Sequence, residues 1–454
     1  MTLTSKRDLT DGKVLNRLVS FALPIFLANV LQTLYGAVDT MIVGQYVGSA
    51  GISAVTVGSQ ISFFLTTLGM GLAQGGQIIV SQLRGADDEK NLNSVIGALF
   101  SIGAICGLAV GIIGAMFYPP ALGLLNTPEE AWDQAGDYTL ICCLGMVFVF
   151  LYNSISSIMR GLGDSTRPLV FIGIATVINI ILDIIFVGPL NMGAGGAAIA
   201  TVMAQALSVL FGIVYLYRRR RDFVFDFKLC SFIPRKRWTL ELFRIGVPVM
   251  IQMSAINISL SYVLALVNDY GVAASAAVGV GGKLQQIFCM PLQAMSTAST
   301  AMSGQNIGAG RLDRVKRTVD ITLGVNVVVV AFSALAILLF SGALIRIFDT
   351  NPLVVELGAL YLKTHIFNII GHAMFCAYNA ACLGAGNALL STVAFLTDGV
   401  AVRLSLCLLF TKVFNWGLLG IFWASAIAPI SAGLILGTYY YSGAWRRYKP
   451  KALR

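Results

Sequence analysis

The chain has 454 residues, 57% of them hydrophobic and only 11% charged, and its mean hydropathy is +0.81. A water-soluble domain carries about 25% charged residues, so a soluble globular protein is excluded; the longest polar stretch, 218–239, is too short to be a domain of its own. The net charge of +10 would suit nucleic acid, but its distribution follows membrane topology, and no nucleic-acid partner is expected.

Twelve apolar runs are long enough to span a bilayer, which takes about 20 residues of helix. In chain order they are 18–43, 52–82, 93–117, 135–159, 168–190, 195–217, 240–267, 275–304, 318–341, 357–382, 390–411 and 417–441. A membrane barrel would show alternating segments of about ten residues instead. The expected fold is therefore an all-α integral membrane protein of twelve transmembrane helices. Six spans fall in residues 1–217 and six in 240–454, joined by the basic segment 218–239. The N-terminus lacks a short apolar core followed by a small-residue cleavage site, so no cleaved signal peptide is expected and the first span acts as the targeting element.

Span 1 opens with Pro24, which bends a helix or frees carbonyls. It then carries Asn29, Gln32, Tyr35 and Asp39, spaced by three, three and four residues and so on one helix face. A polar stripe in a spanning helix faces protein or a water-filled cavity. Span 2 ends at Gln82, Gly85 and Ala86. The loop 118–134 holds Glu129, Glu130 and Asp133 and no Lys or Arg. Span 4 carries Asn153 and Ser156 and runs into Met159-Arg160-Gly161-Leu162-Gly163-Asp164. Glycines there and at Gly85 let the chain leave a helix through left-handed conformations. Span 5 places Asn179 and Asp183 one turn apart, and span 6 places Thr201, Gln205 and Ser208 on one face.

In the second half, span 7 has Pro248 near its start and carries Gln252, Ser254, Asn257 and Ser261, with no acid between Pro248 and Asn268-Asp269. Span 8 contains Lys283 and ends in Gly304-Gln305-Asn306-Ile307-Gly308-Ala309-Gly310. Span 10 holds His365 and His372, read as packing residues, and span 11 holds Asp398 and Arg403. Lys283 and Asp398 are read as a structural pair. The eight cysteines are scattered, without metal-ligand spacing, and are read as small buried residues. No structural metal or cofactor is expected. Gly161-Leu162-Gly163 lacks the third glycine of a dinucleotide loop, and no Walker loop, His-Glu-x-x-His or serine elbow is present. Nothing in the sequence suggests an enzyme.

Topology follows from the cations, because Lys and Arg favour cytoplasmic loops. With the N-terminus inside, inner segments hold 26 of the 31, leaving Lys283, Arg346, Lys363, Arg403 and Lys412. Both termini are expected in the cytoplasm, with the protein multi-pass in the inner (plasma) membrane. The chain also repeats itself. Gln82, Gly85 and Ala86 recur 223 residues later as Gln305, Gly308 and Ala309, and Gly48, Ala54, Val55 and Gly58 recur as Gly271, Ala277, Val278 and Gly281. Pro24 maps to Pro248 at 224. Six spans per copy give two lobes in parallel orientation, and sites in such folds lie near the bilayer midplane at the repeat interface. The acids do not repeat: position 39 maps to Tyr262 or Val263, and Asp183 to Leu406 or Cys407.

A charge in a helix centre costs roughly 2.5–3.5 kcal/mol on insertion scales, so intramembrane acids need a reason. Asp39 and Asp183 fall in the outer halves of outward-running spans, and Thr201 lies near the outer end of an inward-running one. These residues are expected to meet on the outer side of the N-terminal lobe. Two carboxylates held close cannot both ionise easily, so such a pair takes up and releases protons; the same oxygens suit a sodium ion.

The Leu23-Pro24, Ala37-Val38-Asp39-Thr40, Met159-to-Asp164 and Gly304-to-Gly310 segments, within twelve spans in two sixes, resemble the multidrug and toxic compound extrusion (MATE) family over nearly the whole chain. The resemblance implies export of bulky, often cationic or amphipathic compounds against proton or sodium uptake, by two rocking lobes. It is closest to the branch with N-lobe acids. That implies cation coupling by Asp39, Asn179, Asp183 and Thr201, with Na+ at Asp39 and Asp183 as one form of it. Pro24, Gln32, Tyr35 and Asn153 would support substrate and the first helix, with Ser156 a second candidate beside Asn153. The branch using acids in spans 7 and 10 fits poorly, since Gln252, Asn257 and Asn379 stand there. Expected partners are small organic substrates and the bilayer, with the chain a monomer. The alternatives are a lipid-linked-precursor flippase, which calls for a strongly cationic cavity, and a passive channel.

Overall fold

The computed structural model describes residues 8–448 and 450–453. Lys6, Arg7, Lys449 and Arg454, counted above with the inner cations, lie outside the described residues. All described secondary structure is helical. The rods are α1 (Val14–Val47), α2 (Ser49–Gly85), α3 (Glu89–Leu124), α4 (Glu129–Leu144 and Met146–Gly161), α5 (Thr166–Val187), α6 (Gly193–Arg218), α7 (Lys236–Asn268), α8 (Val272–Gly308), α9 (Leu312–Arg346), α10 (Pro352–Gly384), α11 (Ala388–Val413) and α12 (Gly417–Tyr441).

Each rod corresponds to one apolar run, and most extend several residues past it. Polar turns at a bilayer surface continue the helix where caps and side chains satisfy its ends. Asp88 caps α3 by accepting from the Asn91 N–H, and Asn351 caps α10 by accepting from Leu353. Ten described helices are long and apolar enough to cross a membrane. The two halves of α4, bent by 47° at Gly145, make an eleventh. The remaining rod, α8, spans 37 residues, but Lys283, Gln285, Gln286 and Gln293 dilute its apolar character.

The repeat is visible in the backbone. Gly48 and Gly271 have φ of 85° and 94°, and Gly163 and Gly386 both have 86°, values that favour glycine. At the loops after α2 and α8, however, the left-handed residues are Asp87 and Gly310 rather than Gly85 and Gly308, which still close their helices. Packing repeats too: a Cβ on Gly58 would collide with the Tyr138 ring, and one on Gly281 with the Tyr361 ring.

The chain divides into two compact units, and their boundaries differ from the ends of the apolar runs. One is Leu23–Met250; the other is Leu9–Ala22 with Ile251–Arg454. Side chains explain the assignment. In the first unit the linker rings of Phe225 and Phe232 pack on Phe100 of α3. In the second, Leu9 donates its N–H to the Gln305 Oε1 (3.1 Å), and Arg311 and Arg314 donate to the carbonyls of Thr10 and Gly12 (2.6 and 2.8 Å).

The second unit has a large apolar core including Ile337, Leu362, Ile369 and Leu436. There α10 and α12 approach so closely that a Cβ on Gly371 would lie 2.5 Å from the Ile430 N and 2.6 Å from the Pro429 C. Backbone cannot yield as a side chain can. Gly371→Ala is expected to cost about 1–3 kcal/mol through overpacking. Gly324→Ala, with nothing within 4 Å of the new Cβ, is expected to be neutral or stabilising, because glycine inside a helix costs roughly 0.5–1 kcal/mol against alanine. Melting curves of the two purified variants check this pair; equal melting temperatures would contradict it.

Candidate functional site

The first unit gathers polar side chains from five helices. From α1 come Tyr35 and Asp39, one turn apart; from α5, Asn179 and Asp183; from α6, Thr201. The first half of α4 adds Tyr138 and Cys142, and α2 adds Ser62. The Tyr35 hydroxyl donates to Thr201 Oγ1 at 2.7 Å and lies within electrostatic reach of both Asp39 and Asp183. The Tyr138 hydroxyl hydrogen-bonds Asp39. Asp183 senses the Asp39 charge and lies beside Asn179. Cys142 lies beside Ser62 and Tyr138.

Burial makes this group unusual. Asp39 is 4% exposed, and Asn179 and Asp183 are 0% exposed. Among the described residues, Asp39 Oδ1, both Asp183 oxygens and both polar atoms of the Asn179 amide have no hydrogen-bond partner. Ser62 Oγ and Gln205 Oε1 are in the same condition. The apolar shell around them includes Val43, Val55, Leu122, Ala135 and Val187. A buried polar group without a partner costs roughly 1–3 kcal/mol, and a buried unpaired charge more. The arrangement is thus a buried cluster of oxygen-bearing side chains with two acids, and the groups that act on those acids, Tyr138 and Asn179, carry no positive charge. Chemically it can hold a proton between carboxylates or a small hard cation among oxygens.

Not every polar residue singled out from the sequence belongs to this group. Gln32 is exposed, and Asn29 and Pro24 are half-buried, further back along α1. Asn153 donates to the Val149 carbonyl of its own helix at 2.9 Å. Ser156 is buried, its Oγ without a partner. Tyr138, Cys142 and Ser62 join the group although none of them forms a polar stripe with the acids within its own helix. The repeat offered a signal: Tyr138 recurs as Tyr361 at 223, although the acids do not recur.

The second unit places different chemistry at the corresponding positions. At 224, Asn179, Asp183 and Thr201 map to Arg403, Cys407 and Ser425. Arg403 Nη2 donates to Asp398 Oδ1 at 3.0 Å, with both side chains buried. This corrects the pairing expected from sequence: Lys283 is exposed, and Asp398 pairs with Arg403 instead. Five residues do not stack on a regular α-helix. Here a π-turn over Thr397–Val402 brings the two into register, since its hydrogen bonds run from i to i+5. Around the pair, Tyr361 donates to Gln285 Oε1 (3.1 Å), and Gln285 donates to Asn368 Oδ1 (2.7 Å). Asn368 in turn donates to the Ser425 carbonyl (2.9 Å), and His365 stacks on Tyr361 at 3.7 Å. His372 is half-buried, its Nε2 without a partner.

These features define a polytopic helical membrane protein built from a tandem repeat with a buried acidic group in its first copy. The MatE family model matches residues 24–185 and 248–409, two stretches whose starts and ends are each 224 apart (24 and 248, 185 and 409). The chain belongs to the MatE family, the multidrug and toxic compound extrusion transporters. It is 32% identical over 449 residues to a probable multidrug resistance protein, YpnP, of Bacillus subtilis (strain 168), covering 97% of this chain and 98% of that protein. It is 23% identical over 432 residues to the multidrug export protein MepA of Staphylococcus haemolyticus (strain JCSC1435), covering 95% and 94%. Among solved structures, an outward-facing multidrug resistance MATE family transporter of the MOP superfamily superposes with a TM-score of 0.88 at 21% identity, covering 98% of this chain and 100% of that one. A MOP superfamily transporter from Pyrococcus furiosus superposes with a TM-score of 0.91 at 19% identity, again covering 98% and 100%. These likenesses establish the fold.

Proposed function

We propose that this protein is a secondary antiporter that exports bulky cationic or amphipathic organic compounds in exchange for protons or sodium ions. Membership of the family and the names of the relatives, multidrug resistance and multidrug export proteins, support the substrate class. The observation that carries the coupling role is the buried, partnerless condition of Asp39 Oδ1 and of both Asp183 oxygens. A pair of acids in that condition binds a cation whenever one is offered, and loses it only when water or another ligand takes its place.

In this reading Asp39, Asp183, Asn179 and Thr201 bind the coupling ion, and Tyr35 ties α1 to α6 through Thr201. Neutralising the acids lets α1 bend at Pro24 and displace the drug outward; the lobes then rock and release the ion inside. Only a difference in affinity can couple the two ligands, so drug must bind more tightly when the acids are ionised. The protein works as a monomer in the plasma membrane with both termini in the cytoplasm, in keeping with its positive inner loops.

The test is transport in sealed vesicles with a pH gradient or a sodium gradient imposed separately. One of the two gradients is expected to drive a fluorescent cationic dye against its concentration. Movement that follows only the dye's own gradient under both conditions would reject antiport.

A further inference from the structure

The linker between α6 and α7 does more than join the two halves of the chain. Its short 3-10 turn, Leu229–Phe232, is docked on the first turns of α3. Asn93 of α3 accepts from the Asp226 N–H at 3.2 Å and faces the Ser231 hydroxyl at 3.5 Å. Ser101 donates to the Phe232 carbonyl, and a Cβ on Gly97 would collide with the Ser231 carbonyl. The turn is therefore held in one place against the helix.

Between turn and helix lies a cavity of about 180 Å³, lined among others by Lys90, Asn93, Ser94, Ser231 and Arg235. Lys90 comes from the first turn of α3 and Arg235 from the end of the linker, and both are exposed. The Asp226 carboxylate beside it is already engaged, accepting from the Lys228 N–H at 3.2 Å and from Ser231. The Ser94 hydroxyl is spent on the Lys90 carbonyl (3.2 Å) and the Ser231 hydroxyl on Asp226, so the anion-binding groups of the cavity are its two cations, Lys90 and Arg235, which suit a phosphate monoanion or diester.

The cavity also has an apolar rim, to which its lining residue Ile233 belongs. Leu229 is 88% exposed and Ile233 68% exposed, with Lys228 and Lys236 exposed beside them. Large apolar side chains projecting this far, flanked by cations, suit the boundary between acyl chains and headgroups rather than water. The location agrees: the turn sits where α2, α3, α6 and α7 end, on the positively charged side of the chain. Basic pockets beside spanning helices on the cytoplasmic side bind anionic headgroups.

We propose that this cavity binds the phosphate of an anionic phospholipid, with Lys90 and Arg235 at the headgroup and Leu229 and Ile233 among its acyl chains. The ligand is a membrane lipid rather than a free anion, because the apolar rim has no role for inorganic phosphate. The site is separate from the acidic group of α1 and α5, and it stands or falls apart from the coupling role given to Asp39.

Cys230 is exposed and lines the cavity, whereas six of the other seven cysteines are buried and Cys106 is half-buried. It serves as a built-in reporter. The full-length protein is placed in nanodiscs of phosphatidylcholine alone, of phosphatidylcholine with phosphatidylglycerol, and of phosphatidylcholine with inorganic phosphate in the buffer. Alkylation of Cys230 by a neutral maleimide is followed by peptide mass, and retained lipid by native mass spectrometry. Phosphatidylglycerol is expected to slow Cys230 alkylation severalfold, and inorganic phosphate is not. The double variant Lys90→Gln/Arg235→Gln is expected to retain about 30-fold less phosphatidylglycerol, the two cations contributing ~1 kcal/mol each. Equal alkylation in the two lipid mixtures overturns the proposal, as does a double variant that retains as much lipid as the parent. Protection by inorganic phosphate alone overturns it in favour of a free-anion site.

Discussion

Replacing Asp39 by Asn is expected to leave the protein folded in the membrane and to abolish cation-driven efflux. The substitution keeps the size and polarity of the side chain and removes its charge. The Tyr138 hydroxyl still finds an acceptor in the amide oxygen, so the local packing is kept. What disappears is the difference between an ionised and a neutralised site, and with it the means by which a cation changes drug affinity. Coupling free energies between linked sites are about 1–3 kcal/mol, or roughly 5–150-fold; loss of that factor is the expected fall in gradient-driven dye transport. Asp183→Asn is expected to act in the same direction. Dye binding by Asp39→Asn should persist and no longer respond to pH or sodium. Full efflux of the dye by this variant, at the parent's rate and under the same gradient, would overturn the coupling role of the acidic group.

The second large effect concerns stability. Arg403 and Asp398 are buried together at 3.0 Å, and removing one partner strands the other charge in an apolar surrounding. Breaking a buried pair in this way costs about 3–5 kcal/mol. Arg403→Gln is therefore expected to lower the melting temperature of the purified protein by roughly 6 °C or more, taking about 2–4 °C per kcal/mol for a domain of this size. Asp398→Asn in the same chain is expected to restore part of the loss, because no unpaired charge then remains. The double variant decides the matter: if it melts no higher than Arg403→Gln, the pair is not the source of the effect. The position of Arg403, 224 residues after Asn179, also means that the two copies of the repeat carry opposite chemistry at one site. The first copy leaves acids without a partner; the second closes its charge with an ion pair and a chain of amides.

Much of this was legible from residue order. The twelve spans follow from apolar length, because no bilayer-spanning segment can leave its backbone unsatisfied and helices are the local solution. The meeting of Tyr35, Asp39, Asp183 and Thr201 follows from helix period and depth, since each residue's face and level are set by its place in its own span. Tyr138 was not legible: nothing local in its segment says that the first half of α4, set at 47° to the second half, packs against the acids. The sequence points Asp398 to Lys283 rather than to Arg403, its partner in the structure, for a related reason. A spacing of five places two residues on different faces of an α-helix, and only the π-turn brings them together. The linker likewise reads as a basic connector, and nothing local says that it docks on α3 and encloses a cavity.

By itself, then, the sequence determined the class of fold, the number and order of its helices, the repeat and the fact that Asp39 and Asp183 have no acidic counterpart in the second copy. All of these rest on local properties: hydropathy, helical period and the cost of burying charge. The tertiary structure alone decided which polar groups are satisfied and which are left without partners. That difference arises from bends, π-turns and close helix crossings such as that at Gly371, where close-packed backbone from distant parts of the chain fixes which side chains can meet.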